Sequence, residues 1–238
     1  MAMLETEYEH YISLDRDFST PSANGGAIGN LVVPDSLNVI FPEVLASERE
    51  VGLVRYSKVF MKNASADRKM LNNIFFVKQD LLPPDRIRLI EATSPTSHQS
   101  DENFGTAKKY INSVIVEGLT NGLTTLVIPR VDAPYFEVLD HLVIVDGYYR
   151  TLYRGSATEV QDHATNVNAS VVTLSTPYVG VTIPALEAFL CNGVKDTLAP
   201  GETKSFWLEL EIAQESAIDS EVINQFQTGA SFDDVSAI

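Results

Sequence analysis

The cleanest alternation along the chain lies at 206–212, where Phe206, Leu208, Leu210 and Ile212 fall on one side and Trp207, Glu209 and Glu211 on the other. Period-two patterning of this kind marks a β-strand with one buried face. Burying four such side chains is worth roughly 6–12 kcal/mol, on the scale of a whole domain's net stability. The stripe therefore needs a facing layer. The segment 41–80, FPEVLASEREVGLVRYSKVFMKNASADRKMLNNIFFVKQD, is expected to supply it. It reads as strands at 55–63 and 71–78 joined by the polar turn 64–69. Val59, Phe60 and Met61, and then Ile74, Phe75, Phe76 and Val77, are apolar without alternation, which predicts strands covered on both faces.

The rest of the chain is also read as strands and turns. LVVPDSLNVIF at 31–41 is interrupted by Pro34 and suits an edge strand. Pro83, Pro84 and Asp85 turn the chain into an alternating strand at 86–90, with Arg86 and Arg88 on its wet face. The polar stretch 92–103 is taken as the point where the chain leaves the first unit. Six short strands follow, at 110–116, 123–128, 141–145, 148–153, 158–161 and 170–174, and Asn121-Gly122 and Asp146-Gly147 favour tight hairpins. Many short strands of this kind predict a small barrel. The expected fold is all-β: a discontinuous Ig-like β-sandwich from 30–95 and 197–230, with an inserted small β-barrel domain at 104–194. Residues 1–29 read as an N-terminal arm and 231–238 as a C-terminal tail, with a final edge strand somewhere in 220–238.

Charge narrows the partners. The 238 residues include 17 basic and 32 acidic ones, a formal net charge of −15. Such a surface repels phosphate backbones, so no nucleic acid is expected as a partner. No apolar run approaches the ~20 residues of a membrane span, and MAMLETEYEHYISL is acidic where a secretory signal is positive. The lone Cys191 excludes an internal disulfide framework and fits a reducing compartment.

Candidate chemistry is sparse. His10, His98, His141 and His163 show no ligand spacing, and no G-x-S-x-G elbow, P-loop or zincin motif occurs. Gly25, Gly26 and Gly29 lack the flanking strand and the Lys-Ser or Lys-Thr of a phosphate loop, and Asp15 and Asp17 lack the later ligands of a calcium loop. No carboxylate pair is singled out for glycoside hydrolysis. No metal, cofactor or enzymatic activity is expected. Tyr148, Tyr149, Tyr153 and Trp207 offer rings for stacking on a carbohydrate; the competing reading gives Trp207 a structural contact with 80–85 or with a neighbouring subunit.

The runs VLASEREVGLVRYSKVFMKNAS, NNIFFVKQD and LAPGETKSFWLELEIA together resemble a pattern in virion structural proteins of tailed bacteriophages. There an acidic loop and a glycine precede an aromatic strand ending in Lys-Asn, here Glu48, Glu50, Gly52, Tyr56, Phe60, Lys62 and Asn63. Later a Pro-Gly-Glu turn precedes a strand with a tryptophan, here Pro200, Gly201, Glu202 and Trp207. Where family members often continue with Val-Pro-Ala, this chain has Ile212, Ala213, Gln214 and Glu215. Members with an insertion are similar to the "ripcord" component of contractile-tail baseplates, which joins spike and hub to the surrounding wedges. The resemblance implies a virion protein made in the host cytoplasm, present in multiple copies in a symmetric assembly. Its implied partners are hub, spike, wedge, tube or sheath components. Tyr56, Phe60, Tyr148, Tyr149, Tyr153 and Trp207 are the interaction candidates. Collar and head-decoration components share the pattern, and a carbohydrate-binding module is the alternative of another class.

Overall fold

The structure is a computed structural model that describes residues 8–31, 40–42, 44–78, 85–147, 150–214 and 227–231. The chain is all-β. Its strands are β1 (Tyr8–Arg16), β2 (Asn24–Leu31), β3 (Leu53–Asn63), β4 (Met70–Lys78), β5 (Arg86–Glu91), β6 (Lys109–Tyr110) and β7 (Asn112–Val114). They continue with β8 (Thr125–Pro129), β9 (His141–Asp146), β10 (Thr151–Asp162), β11 (Ala169–Leu174), β12 (Ala188–Leu198), β13 (Thr203–Ile212) and β14 (Gln227–Ser231), and a short helix α1 (Ala46–Val51) precedes β3.

The stripe of β13 finds its facing layer. One sheet has the order β2-β1-β3-β13-β5-β6, and the other runs β14-β4-β12-β9-β10-β11-β8 with β7 paired to β12. Phe206, Leu208, Leu210 and Ile212 pack with Val59, Met61 and Leu89 of their own sheet against Met70, Phe75, Val77, Val194 and Leu198 of the other. The Phe75 and Phe206 rings, 5.1 Å apart, join the layers. β4 is apolar on both faces as its sequence predicts: Ile74 and Phe76 turn away from this core and cluster with Val143, Val145 and Cys191.

The inserted segment builds a second core but no closed barrel. Leu126, Ile128, Leu142, Ile144, Tyr153, Val172, Leu174 and Leu190 line the inside of a strongly curled sheet. Closure would need a ladder between β7 and β8, and the path of paired strands ends at β8. A backbone hydrogen bond from Val116 N–H to Val127 C=O (2.8 Å) is what bridges that gap. The two expected strands at 148–153 and 158–161 are one long strand, β10, which pairs with β9 and then with β11.

A boundary near 194–197 is also corrected. β12 crosses it without a break, pairing with β9 and β7 over residues 188–193 and with β4 over 194–198. Gly193 sits where the partner changes, and a Cβ there would overlap the Phe75 carbonyl. Residues 8–31 are no loose arm either. β1 pairs with β3 from Tyr8↔Asn63 to Ile12↔Val59, and β2 pairs with β1. The hairpin is held by main-chain ladders rather than by an apolar face of its own, which is why periodicity was silent. Most of the edge strand expected at 31–41, and most of the tail, fall outside the described residues.

Gly193→Ala is expected to lower stability by about 1–3 kcal/mol, the cost of forcing atoms into a filled site. Chemical denaturation of the two proteins checks it, and an unchanged midpoint would show that β4 can move aside.

Candidate functional site

The outer face of the six-stranded sheet carries Trp207, Glu209, Glu211, Arg88, Tyr56, Lys58 and Phe60. The alternation in β13 and β5 predicts their part of this face wet, and the structure corrects that, since Trp207, Glu209 and Arg88 are buried; Phe60 is buried as its unbroken apolar run predicts, and Lys58 is buried beside it. The cover is 92–108, which includes the polar stretch 92–103 expected to leave the domain. Lys58 Nζ donates to Ser94 C=O (2.8 Å), Ser97 C=O (2.8 Å) and Ser97 Oγ (3.1 Å). Trp207 Nε1–H donates to Glu102 (3.0 Å), and Phe104 stacks on Tyr56 with ring centroids 3.9 Å apart while meeting Trp207 edge-on. The β1–β2 hairpin closes the other side. Gly25, at φ 114, lies so close to Trp207 that a Cβ would stand 2.6 Å from the indole ring.

Cross-strand register builds a charged row beside these rings. Glu209 lies opposite Tyr56 on β3 and Arg88 on β5. Its carboxylate accepts from the Tyr56 hydroxyl (2.9 Å) and Lys109 Nζ (2.6 Å) and pairs with Arg88, which also pairs with Glu211. Burial alone pushes the Glu209 carboxyl up, yet hydrogen bonds and charge from Lys109 and Arg88 bring it net below its ordinary value. The Tyr56 phenol is pushed up, first by burial and then by the Glu209 charge. The row continues into the second sheet's loops, because Arg88 lies over the Tyr135 ring and Arg86 pairs with Asp132, which accepts from Ser113 (2.7 Å).

A cleft of about 490 Å³ opens along this seam, lined by Lys108, Lys109, Tyr110, Tyr135, Glu137 and Asp140 among others. Lys108 bridges Glu137 (3.0 Å) and Asp140 (3.1 Å), and Asp140 also accepts from Asn192 (3.0 Å). These charges satisfy one another, which suits contact with a surface better than proton transfer. Among the described residues no group of three His, Cys, Asp or Glu side chains is placed to hold a metal ion. No helix among them is long and apolar enough to cross a membrane.

The interaction candidates do not converge. Tyr56, Phe60 and Trp207 share the covered sheet face, whereas Tyr153 is buried in the second core with its hydroxyl against Thr176 C=O (3.0 Å). Tyr148 and Tyr149 lie outside the described residues. Neither Trp207 nor Tyr153 presents a ring face to a sugar. Trp207 makes a structural contact with Glu102 and Phe104 of 92–108 and lies against Gly25 of the hairpin, while 80–84 of the expected contact fall outside the described residues.

The pattern instead passed over the loop 175–187, where Val179, Val181 and Leu186 stand 76%, 66% and 60% exposed. The signal was present as an absence of charge: no Asp, Glu, Lys or Arg occurs from 163 to 186.

Burial lowers the Lys58 ammonium from 10.5 to about 8. Below pH 8 both folded and unfolded chains carry the proton, and between pH 8 and 10.5 only the unfolded chain does, so stability rises with pH across that window. Relative to Lys58→Met, the native chain is expected to gain on the order of 3 kcal/mol between those limits. Urea denaturation of both proteins at pH 7.5 and 10.5 measures it, and parallel pH profiles would contradict the assignment.

No protein-family model, no curated protein and no solved structure matches this chain, and its own residues carry the functional reading.

Proposed function

We propose that the chain is a structural component of a tailed-phage particle, seated in the baseplate where hub and spike meet the wedges. The observation that carries a docking role is the loop 175–187. Its apolar side chains face outward on an otherwise acidic protein, and the loop is firmly held. Tyr178 is fully buried, with its N–H on Leu123 C=O (2.8 Å) and its hydroxyl donating to Val181 C=O (2.8 Å). Leu119 and Ile183 exchange both backbone hydrogen bonds, at 2.9 and 3.0 Å.

Leu186 sits at φ 65 and Leu139, 75% exposed, at φ 75. Left-handed backbone costs a non-glycine residue about 1 kcal/mol or more, and neither leucine is buried in exchange. A rigid loop that displays apolar side chains loses little freedom on docking. The Ig-like sandwich half serves one neighbour in this reading and the inserted half another, with acidic surfaces meeting basic patches. The resemblance at 48–63 and 200–207 supports the phage setting, which a collar or head-decoration station would share.

Purified virions of a phage carrying this gene are expected to contain the chain in multiple copies, with 175–187 against another virion protein in a reconstruction. Virions without the chain would end the reading, and a position on the capsid exterior would move the station to the head. The double variant Val179→Asp, Val181→Asp is expected to keep stability within about 0.5 kcal/mol. Its incorporation into particles, read by quantitative mass spectrometry, is expected to fall by about tenfold, a loss of ~1.4 kcal/mol in contact energy. Unchanged incorporation would remove the loop from the interface.

A further inference from the structure

We propose that β14 is an exchangeable strand, which in the assembled state pairs with β4 of a second copy of this chain. The proposal does not depend on the assembly being a phage particle.

β14 covers the edge of β4 in antiparallel register, from Gln227↔Lys78 through Thr228↔Val77, Gly229↔Phe76 and Ala230↔Phe75 to Ser231↔Ile74. Among the described residues β4 is its one strand partner. Its sequence, QTGAS, contains no large apolar residue, so its hold is chiefly the main-chain ladder. Any copy of β4 presents that ladder identically.

The edge beneath it has to be covered by something. β4 is apolar on both faces, with Phe75 and Val77 in one core and Ile74 and Phe76 in another cluster. Such a strand with a bare edge is a template for unwanted pairing. The constraint is that an antiparallel strand lies on β4, without regard to which chain it comes from.

Chain length permits either donor. Residues 215–226 separate Gln214 from Gln227, and twelve residues span at most about 40 Å. A folded chain of 238 residues has a radius of gyration of roughly 18 Å, so that reach extends to the β4 edge of an adjoining copy. Exchange preserves every β14–β4 hydrogen bond. The balance between the closed and exchanged forms is therefore one of concentration. A linker of this length supplies its own strand at an effective concentration of the order of millimolar. Copies packed together in a symmetric assembly reach the same range, and there the exchanged form competes.

The test uses full-length chains. One carries Lys78→Cys and the other Gln227→Cys, residues directly opposite in the ladder; Cys191, common to both, is buried. Mixed at about millimolar concentration under mild oxidation, where inter- and intramolecular pairing are comparable and half of the exchanged pairs are mixed, roughly a quarter of the chains are expected in a disulfide-linked dimer containing one of each. The yield falls steeply on dilution. The double variant Lys78→Cys, Gln227→Cys is expected to close within one chain when dilute, which shows that the register survives substitution. Mixed single variants that give no dimer above either variant alone would overturn the proposal. A double variant that cross-links in neither way would also overturn it, since β14 would then not lie on β4.

Discussion

β12 changes partners halfway along its length, and both cores are tied together by that change. Leu190 faces the curled sheet's interior, Val194 and Leu198 face the sandwich core, and Cys191 joins the apolar cluster on the opposite side. A hinge between the halves would have to break the pairing at Val194↔Phe75 or at Leu190↔Ile144. Buried backbone groups left without partners cost about 1–3 kcal/mol each. The two cores therefore move as one body, and the demand for a glycine at 193 follows from how closely β4 passes there.

The covered sheet face shows a second kind of constraint. Buried ion pairs are often no more stabilising than apolar residues of the same shape, but removing one partner costs about 3–5 kcal/mol. Glu209, Tyr56 and Arg88 occupy one cross-strand row, so a slip of one residue would break the whole set at once. The same charges reach outward: Arg86 to Asp132 and Arg88 to Tyr135 carry the grip of β5 into the second sheet's loops. The row thereby fixes the register within one sheet and the placement of the other sheet's loops upon it.

Period two is informative where one face of a strand is buried by apolar atoms, and there the sequence was readable. The stripe of β13 and the double-sided β4 fall where their patterns predict. It misleads where polar atoms do the covering. Charged residues on a strand face read as solvent-exposed by default, and the strap that dries them, 92–108, has the composition of a linker. Its serines and Glu102 are polar because they satisfy Lys58 and Trp207, and nothing local distinguishes that use from solvation. The β1–β2 hairpin escaped for a related reason, since ladders to β3 hold it and Ile12 is its one buried large aliphatic side chain among those described. Strand content in the insert was legible, but closure depends on whether β7 meets β8, a matter of register that hydrophobicity does not encode.

The molecule thus places charge inside and apolar side chains outside at the positions where it departs from the ordinary pattern of a solitary domain. Covering Val179, Val181 and Leu186 would contribute roughly 1.5–3 kcal/mol apiece. Association itself costs about 4–15 kcal/mol in lost freedom of motion. The loop alone is therefore close to break-even and cannot hold a partner tightly. A second contact made by the same subunit changes the arithmetic, because the loss of freedom is incurred once and each further contact acts at a high effective concentration. On the proposals made above, one apolar loop and one exchangeable edge strand would be the two contacts that this requires, each weak alone and the pair tight together.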